Sequence, residues 1–312
     1  MPRRLYDCVL FNGEFDLLAL RIRELDTLVH RFVVVESDTT FSGQPKAVKF
    51  SKDHPTIKAF ADRIDFILVD DMLDTDDAWQ RETWQRNAVL RGVSDADDND
   101  LVLMSDVDEI PRVACVQQAL ADQEFAAFGF RMGTYYFFMN YKYVGKTPKR
   151  IWAVAATRGL LKTHQPDAVR YAVRDGKMRA RIFEEGGWHF SYLMDDAAIR
   201  EKIRSFSHQE HNRQDLLKKV NREKLVMRSK GLFGAGSEKW AIVDETDLPR
   251  YVLEHKEDFA QHFVRPTLAV AWFQALAAAN SQVRRAGGPA WRFLKANWKR
   301  LRTWSGRRAT NT

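Results

Sequence analysis

The chain has 312 residues, 45% hydrophobic and 29% charged, enough for one substantial core or for a core domain with an appendage. Its two cysteines, Cys8 and Cys115, have no pairing pattern and no Cys/His cluster has zinc spacing, which excludes a disulfide framework and a zinc module. The net charge of +7 is uneven: ten cations and no acid follow Asp258, so the preceding body carries −3 and no broad nucleic-acid face is expected.

The start, Met1-Pro-Arg-Arg-Leu-Tyr-Asp7, lacks the apolar run of a signal peptide, and no leader is expected. Tyr6 to Phe11 reads as a strand. From Glu14, Leu18, Ile22, Leu25 and Val29 recur at helical spacing. Arg31 to Glu36 is a near-continuous apolar run, as in a strand covered on both faces, and Ile64 to Val69 reads as another strand. Trp79 to Arg91 reads as a helix and Leu101 to Ser105 as a fourth strand. This alternation predicts a mostly parallel, doubly wound α/β sheet, Rossmann-like in its N-terminal half. Phe125 to Val144 is strand-rich and suits a mixed sheet, while Asp195 to Arg204 and Gln214 to Lys230 read as helices. No internal repeat is present, and no stretch of about 20 uninterrupted apolar residues predicts a spanning helix.

Ser105-Asp106-Val107-Asp108-Glu109-Ile110-Pro111 directly follows the fourth strand. Open α/β sheets bind ligands just beyond the carboxyl ends of their strands. Two carboxylates two residues apart on an irregular turn suit one hard cation, and Mg²⁺ or Mn²⁺ combines such carboxylates with phosphate oxygens and water. A solvated acidic turn is the plain alternative. Asp95 to Asp100, with no strand in front, reads as such a solvated loop. Gly186-Gly-Trp-His189 places a histidine after a flexible glycine pair, although a lone histidine is more often structural. His208, Glu210 and His211 suit an exposed helix. Gly231 to Gly236 lacks the context of a phosphate cradle, and no Gly-X-Ser-X-Gly or Walker motif supports acyl transfer or P-loop chemistry.

Several segments resemble glycosyltransferase family 17: Tyr6 to Leu18, Arg21 with Glu24 and Leu25, Val35 to Lys46, Arg81 to Asn87, Ser105 to Pro111, Gly186 to Ser191 and Ser205 to Glu210. The likeness runs from about residue 5 to about residue 236. It implies a GT-A-like α/β fold, a UDP-sugar donor with UDP-N-acetylglucosamine expected, Mn²⁺ or Mg²⁺, and inversion at the anomeric carbon. By this resemblance Asp106, Asp108 and His189 are the metal ligands. Glu36 falls where such folds hold the nucleoside, Arg86 and Asn87 would hold the pyrophosphate or order the first loop, and Asn12 and Asp106 join the donor site.

Inverting transfer needs a general base, and Glu109, Glu185 and Glu210 are candidates that the sequence leaves open. Tyr135, Tyr136, Tyr141 and Trp188 are candidates to stack on sugar rings, the first three also suiting core strands. The division expected is a GT-A-like domain over 1–258 and a C-terminal helical segment over 259–312. In that segment Trp291, Leu294, Trp298 and Leu301 make an apolar stripe among Arg and Lys, the pattern of an interfacial helix on anionic lipid. The expected setting is therefore cytoplasmic, at the inner face of a membrane, with a saccharide or glycolipid acceptor. Rival readings are a phosphohydrolase using Asp106 and Asp108, against which Ile110 stands where Ser or Thr is usual, and a nucleic-acid-binding protein acting through the tail.

Overall fold

The computed structural model describes residues 3–145, 149–233 and 239–264. The tail stripe from Trp291 onward and Gly234 to Gly236 lie outside the described residues. Strand β1 (Leu5–Leu10) leads through helix α1 (Phe15–Leu25) to β2 (Arg31–Ser37), then to β3 (Ile64–Val69). Helix α2 (Ala78–Asn87) precedes β4 (Leu101–Asp106), and a two-residue turn joins β4 to β5 (Glu109–Pro111) and α3 (Val113–Ala121). Next come β6 (Ala127–Tyr136), β7 (Tyr141–Tyr143), β8 (Arg150–Thr157), α4 (Pro166–Arg174) and β9 (Arg181–Ser191). Helices α5 (Asp196–Ser205), α6 (Gln214–Leu217) and α7 (Arg222–Met227), β10 (Trp240–Ile242) and α8 (Arg250–Glu254) complete the described chain.

The strands form one sheet in the order β10-β7-β6-β8-β4-β1-β2-β3, with β9 paired to both β6 and β5. The half made by β3, β2, β1 and β4 is parallel, whereas β4, β8, β6, β7 and β10 pair antiparallel. The doubly wound mixed α/β sheet expected from the sequence is therefore present. Strand side chains alternate between two buried clusters. Leu5, Val9, Phe32, Val34, Leu101 and Leu103 join the core packed by α1, α3 and α8. Tyr6, Cys8, Val33, Val35, Val102 and Met104 join that packed by Ala88, Val89, Val169 and Val173. This two-sided burial explains why β2 reads as an unbroken apolar run. A third cluster gathers Phe137, Tyr141 and Trp240 with Ile199 and Ile203 of α5.

Three local readings change. The helix expected over Trp79 to Arg91 ends at Asn87 and tightens into a 3-10 turn, Ala88–Gly92. The helix expected over Gln214 to Lys230 is broken, because the Asn221 side chain accepts from the Lys224 amide and starts α7 afresh. Asp100 is buried rather than solvated: it accepts from the Arg4 amide at 2.8 Å and the Arg4 guanidinium at 2.9 Å, tying down the chain ahead of β1. The turn expected between the two aspartates is present at Val107 and Asp108, and Glu109 to Pro111 continues from it as a strand. Cys8 and Cys115 are free and buried, and burial pushes both thiols up. Past residue 258 the chain still packs on the body, where Asn140 exchanges two hydrogen bonds with the Val264 backbone. No helix among the described residues is long and apolar enough to cross a membrane.

Candidate active site

The carboxyl end of β4 opens into a pocket of about 690 Å³. Asp106 ends the strand, Val107 and Asp108 form the turn, and Glu109 begins β5. The turn is fixed from beneath by Arg21 of α1. Its guanidinium, fully buried, binds Asp7 at 2.6 and 2.7 Å and donates to the Glu109 carbonyl at 2.7 Å. A charge pair in the core replaces water as the partner of those turn carbonyls.

β9 brings His189 to the turn. In the pairing of β5 with β9, Glu109 faces His189, Ile110 faces Trp188 and Pro111 faces Gly187. Strand β9 threads between β5 and β6, and this requires the glycine pair. A Cβ on Gly186 would lie 2.7 Å from the Phe130 Cα, and one on Gly187, whose φ is +149°, would lie 2.2 Å from the Ile110 carbonyl. The pair expected to be a flexible lead-in is thus strand interior, where the absence of side chains permits close approach.

Asp108 and His189 are buried, with Nε2 3.7 Å from Oδ1. Burial lowers the imidazole's proton affinity against the pull of Asp108 and Asp106, favouring the neutral form. Its Nδ1 is buried with no hydrogen-bond partner. A neutral imidazole beside a buried carboxylate is a pair of donors that fits a divalent cation. Asp106 is turned elsewhere: its Oδ1 accepts from Arg86 at 2.8 Å, and Arg170 stands 3.9 Å from Oδ2. Desolvation raises the Asp106 carboxyl, but Arg86, Arg170 and Lys202 outweigh it and hold it well below the usual carboxylate range.

Arg86, Arg170 and Lys202 pair with the carboxylates of this floor. Arg86 of α2 pairs with Glu82 at 2.6 Å, Asp106 at 2.8 Å and Asp167 at 3.2 Å. Arg170 of α4 contacts both Glu109 oxygens, at 3.0 and 3.1 Å. Lys202 of α5 sits 3.4 Å from both Asp108 and Glu14. Burial disfavours the charged ammonium, yet Asp108 and Glu14 prevail and its proton affinity is raised. Trp79, Trp152, Tyr136, Tyr171, Tyr192 and Phe206 line the walls.

The other residues singled out in the sequence separate cleanly. Asn12 lines the pocket with its Oδ1 buried and unpartnered. Glu36 does not line it; its buried carboxylate binds Lys46 and the Lys49 and Phe50 amides, shaping that loop. Asn87 faces away and accepts from the Asp167 amide in the first turn of α4. Glu109 lines the floor, but Arg170 and the Asp106 amide occupy its oxygens. Glu185 is exposed and paired with Lys149, outside the pocket lining. Glu210 is exposed beside His208. Of the proposed stacking rings, Tyr136 lines the pocket, Tyr135 and Tyr141 are core, and Trp188 is buried with its indole N–H on the Asp247 carbonyl.

The family model described as Glycosyltransferase family 17 matches residues 1–262. This chain belongs to glycosyltransferase family 17. It is similar to the β-1,4-mannosyl-glycoprotein 4-β-N-acetylglucosaminyltransferases of Rattus norvegicus and Homo sapiens, at 26% identity to each. The matches cover 83% of this chain and 54% and 55% of those proteins, so the chain spans about half the length of these curated relatives. Among solved structures it is similar to glucosyl-3-phosphoglycerate synthase from Mycobacterium tuberculosis in complex with Mn²⁺, UDP and phosphoglyceric acid. That match has 12% identity and a TM-score of 0.36, covering 80% of this chain and 91% of that one.

In this family 17 chain, the segments that carry the resemblance supply much of the pocket wall: Asn12 and Glu14, Phe41 and Lys46, Glu82 and Arg86, Asp106 to Glu109, His189, and Ser205 to His208. Sequence reasoning missed Lys202, Arg170, Glu14, Glu82 and Trp152. One signal was available for two of them. Lys202 lies between the fully buried Ile199 and Ile203, and Arg170 between the buried Val169 and Val173. A cation on the apolar face of a short helix needs a buried partner.

Proposed function

We propose that this chain is an inverting glycosyltransferase that moves N-acetylglucosamine from UDP-N-acetylglucosamine to a saccharide acceptor. The observation that carries the reading is the placement of Asp106 and Asp108 at the strand end, in a pocket also lined by Arg86, Arg170 and Lys202. Membership of glycosyltransferase family 17 supports the reaction class. A leaving diphosphate needs cationic groups fixed before charge develops, and these three are preset by their carboxylate partners. The aromatic walls suit the faces of sugar rings.

A divalent cation, Mn²⁺ or Mg²⁺, would be held by Asp108 and His189, with Asp106 joining if it leaves Arg86. When bound it would neutralise the diphosphate. The chain's own groups do the rest: Lys202 and Arg170 meet phosphate charge, and Glu109 keeps Arg170 and the Asp106 turn in position. The acceptor expected is a saccharide or a glycolipid, with the basic tail of residues 284–312 on an anionic membrane surface at the cytoplasmic face. The phosphohydrolase alternative is disfavoured, because Ile110 is buried strand rather than a polar residue facing the pocket.

Thermal-shift measurement with UDP, UDP-N-acetylglucosamine and Mn²⁺ tests the donor. UDP compounds and Mn²⁺ should stabilise the protein together by more than the sum of each alone. No response to any UDP compound, or stabilisation by an oligonucleotide instead, overturns the reading. UDP release over a glycan array then tests transfer. Liposome flotation with and without residues 284–312 tests the tail, and equal binding of both forms removes the membrane proposal.

A further inference from the structure

The pocket wall opposite in sequence to the Asp-Val-Asp turn is built by the stretch after α5. Ser205, Phe206, Ser207, His208 and His211 all line the cavity. The 3-10 turn Gln209–His211 folds this stretch back, so that His208, Glu210 and His211 project together. Nδ1 of His208 lies 2.6 Å from Oε1 of Glu210, and Nε2 of His211 lies 3.8 Å from the same oxygen. Among the described residues, this is the one set of three His, Cys, Asp or Glu side chains whose ligand atoms all fall within 4.8 Å of one another. Asp106, Asp108 and His189 do not form such a set.

We propose that His208, Glu210 and His211 bind a divalent transition-metal ion on the pocket wall, at a site separate from Asp106 and Asp108. Ligand atoms held about 2.1 Å from one ion lie at most about 4.2 Å apart, so closing the triplet around an ion needs only a small contraction. Two imidazoles and one carboxylate favour Zn²⁺, Co²⁺, Ni²⁺ or Mn²⁺ over Mg²⁺. Both rings are seated by aromatic neighbours. His208 meets Trp79 edge-on at 4.5 Å between centroids, and His211 stacks on Phe233 at 4.4 Å with 25° between planes. Such contacts orient ligands before an ion arrives. Three protein donors leave further coordination positions, and because His208 and His211 line the cavity these open toward a bound phosphate or hydroxyl oxygen.

A hydrogen-bonded chain ties this wall to the floor. Ser207, adjacent to His208, donates to Glu82; Glu82 pairs with Arg86 at 2.6 Å, and Arg86 pairs with Asp106 at 2.8 Å. An ion that immobilises residues 208–211 thereby steadies the arginine that now holds Asp106. This proposal does not depend on the donor sugar or on glycosyl transfer.

The test is Co²⁺ binding to the full chain, prepared without a polyhistidine tag and free of nucleotide, read by visible d–d absorption and by calorimetric stoichiometry. Wild-type protein should show a Co²⁺ band and a matching binding step. Glu210→Gln, nearly isosteric and on an exposed side chain, and His211→Ala should each weaken that step at least tenfold, while Asp108→Asn retains it. No Co²⁺ band in the wild type, or a band unchanged in both Glu210→Gln and His211→Ala, overturns the site. A band lost in Asp108→Asn but kept in Glu210→Gln overturns it equally and points to the turn. Failure of UDP binding, by contrast, leaves these readouts untouched and bears only on the proposed function.

Discussion

The Lys202 ammonium stands 3.4 Å from Asp108 and 3.4 Å from Glu14, a built-in positive charge at the acidic turn. A divalent ion bound by Asp108 must share that carboxylate with it. Two consequences separate in Lys202→Met. If Lys202 meets the leaving diphosphate as proposed, loss of this preset charge should lower kcat on the order of 10²-fold. Removal of the competing cation should meanwhile tighten Mn²⁺ binding measured without nucleotide. Mn²⁺ affinity unchanged or weakened in this variant would mean that Lys202 and the ion do not meet at Asp108.

Glu109 gives a pH signature in stability. Desolvation pushes its carboxyl up to about 7 from 4.5; Arg170 opposes this while Asp106 and Asp108 add to it. Between those values the folded chain keeps a proton that the unfolded chain has released, so the folded state binds more protons and stability falls as pH rises. The loss is complete above about 7. Glu109→Gln lacks this dependence. Urea unfolding at pH 5 and pH 8 should show the wild type losing stability relative to Glu109→Gln across that interval.

Gly187→Ala should weaken the pairing that sets His189 beside Asp108. At φ +149° an alanine is strained by about 1–3 kcal/mol, and its Cβ would press to 2.2 Å on the Ile110 carbonyl. Thermal unfolding should fall by several degrees, and transfer activity should fall further as His189 shifts. Alanine at Gly176, which has nothing within 4 Å of its Cβ position but also a positive φ of +69°, separates the contact from the backbone strain.

Arg21→Leu should destabilise the protein by about 3–5 kcal/mol, the scale of leaving a buried carboxylate, here Asp7, without its partner. Asp7→Asn in the same chain should recover part of that loss, because it removes the stranded charge. A double-mutant cycle by chemical denaturation checks the coupling.

The Asp-Val-Asp turn and the strands around it were legible because burial on both faces demands unbroken apolar runs, and β1, β2 and β4 show them. Glu36 and Asn87 sat on motif segments, yet one ties a loop and the other holds the start of α4. Local sequence places a polar group near a strand end but does not say which way its side chain turns. His189 was legible as a residue type after a glycine pair; that the pair lies inside a strand depends on β5 and β6 closing on it from both sides. Arg170 and Lys202 left only the faint mark of a cation on an apolar helix face.

By itself the sequence determined the strand–helix alternation of the first hundred residues, the acidic turn at the end of β4, and the resemblance to a glycosyltransferase family. Periodicity and strand-end chemistry are local, and local patterns survive in one dimension. Tertiary structure decided which charges share the pocket floor, that Asp106 faces Arg86 while Asp108 faces His189 and Lys202, and that His208, Glu210 and His211 converge. Electrostatic partnership falls off with distance in space rather than along the chain, so only the closed fold could assign those partners.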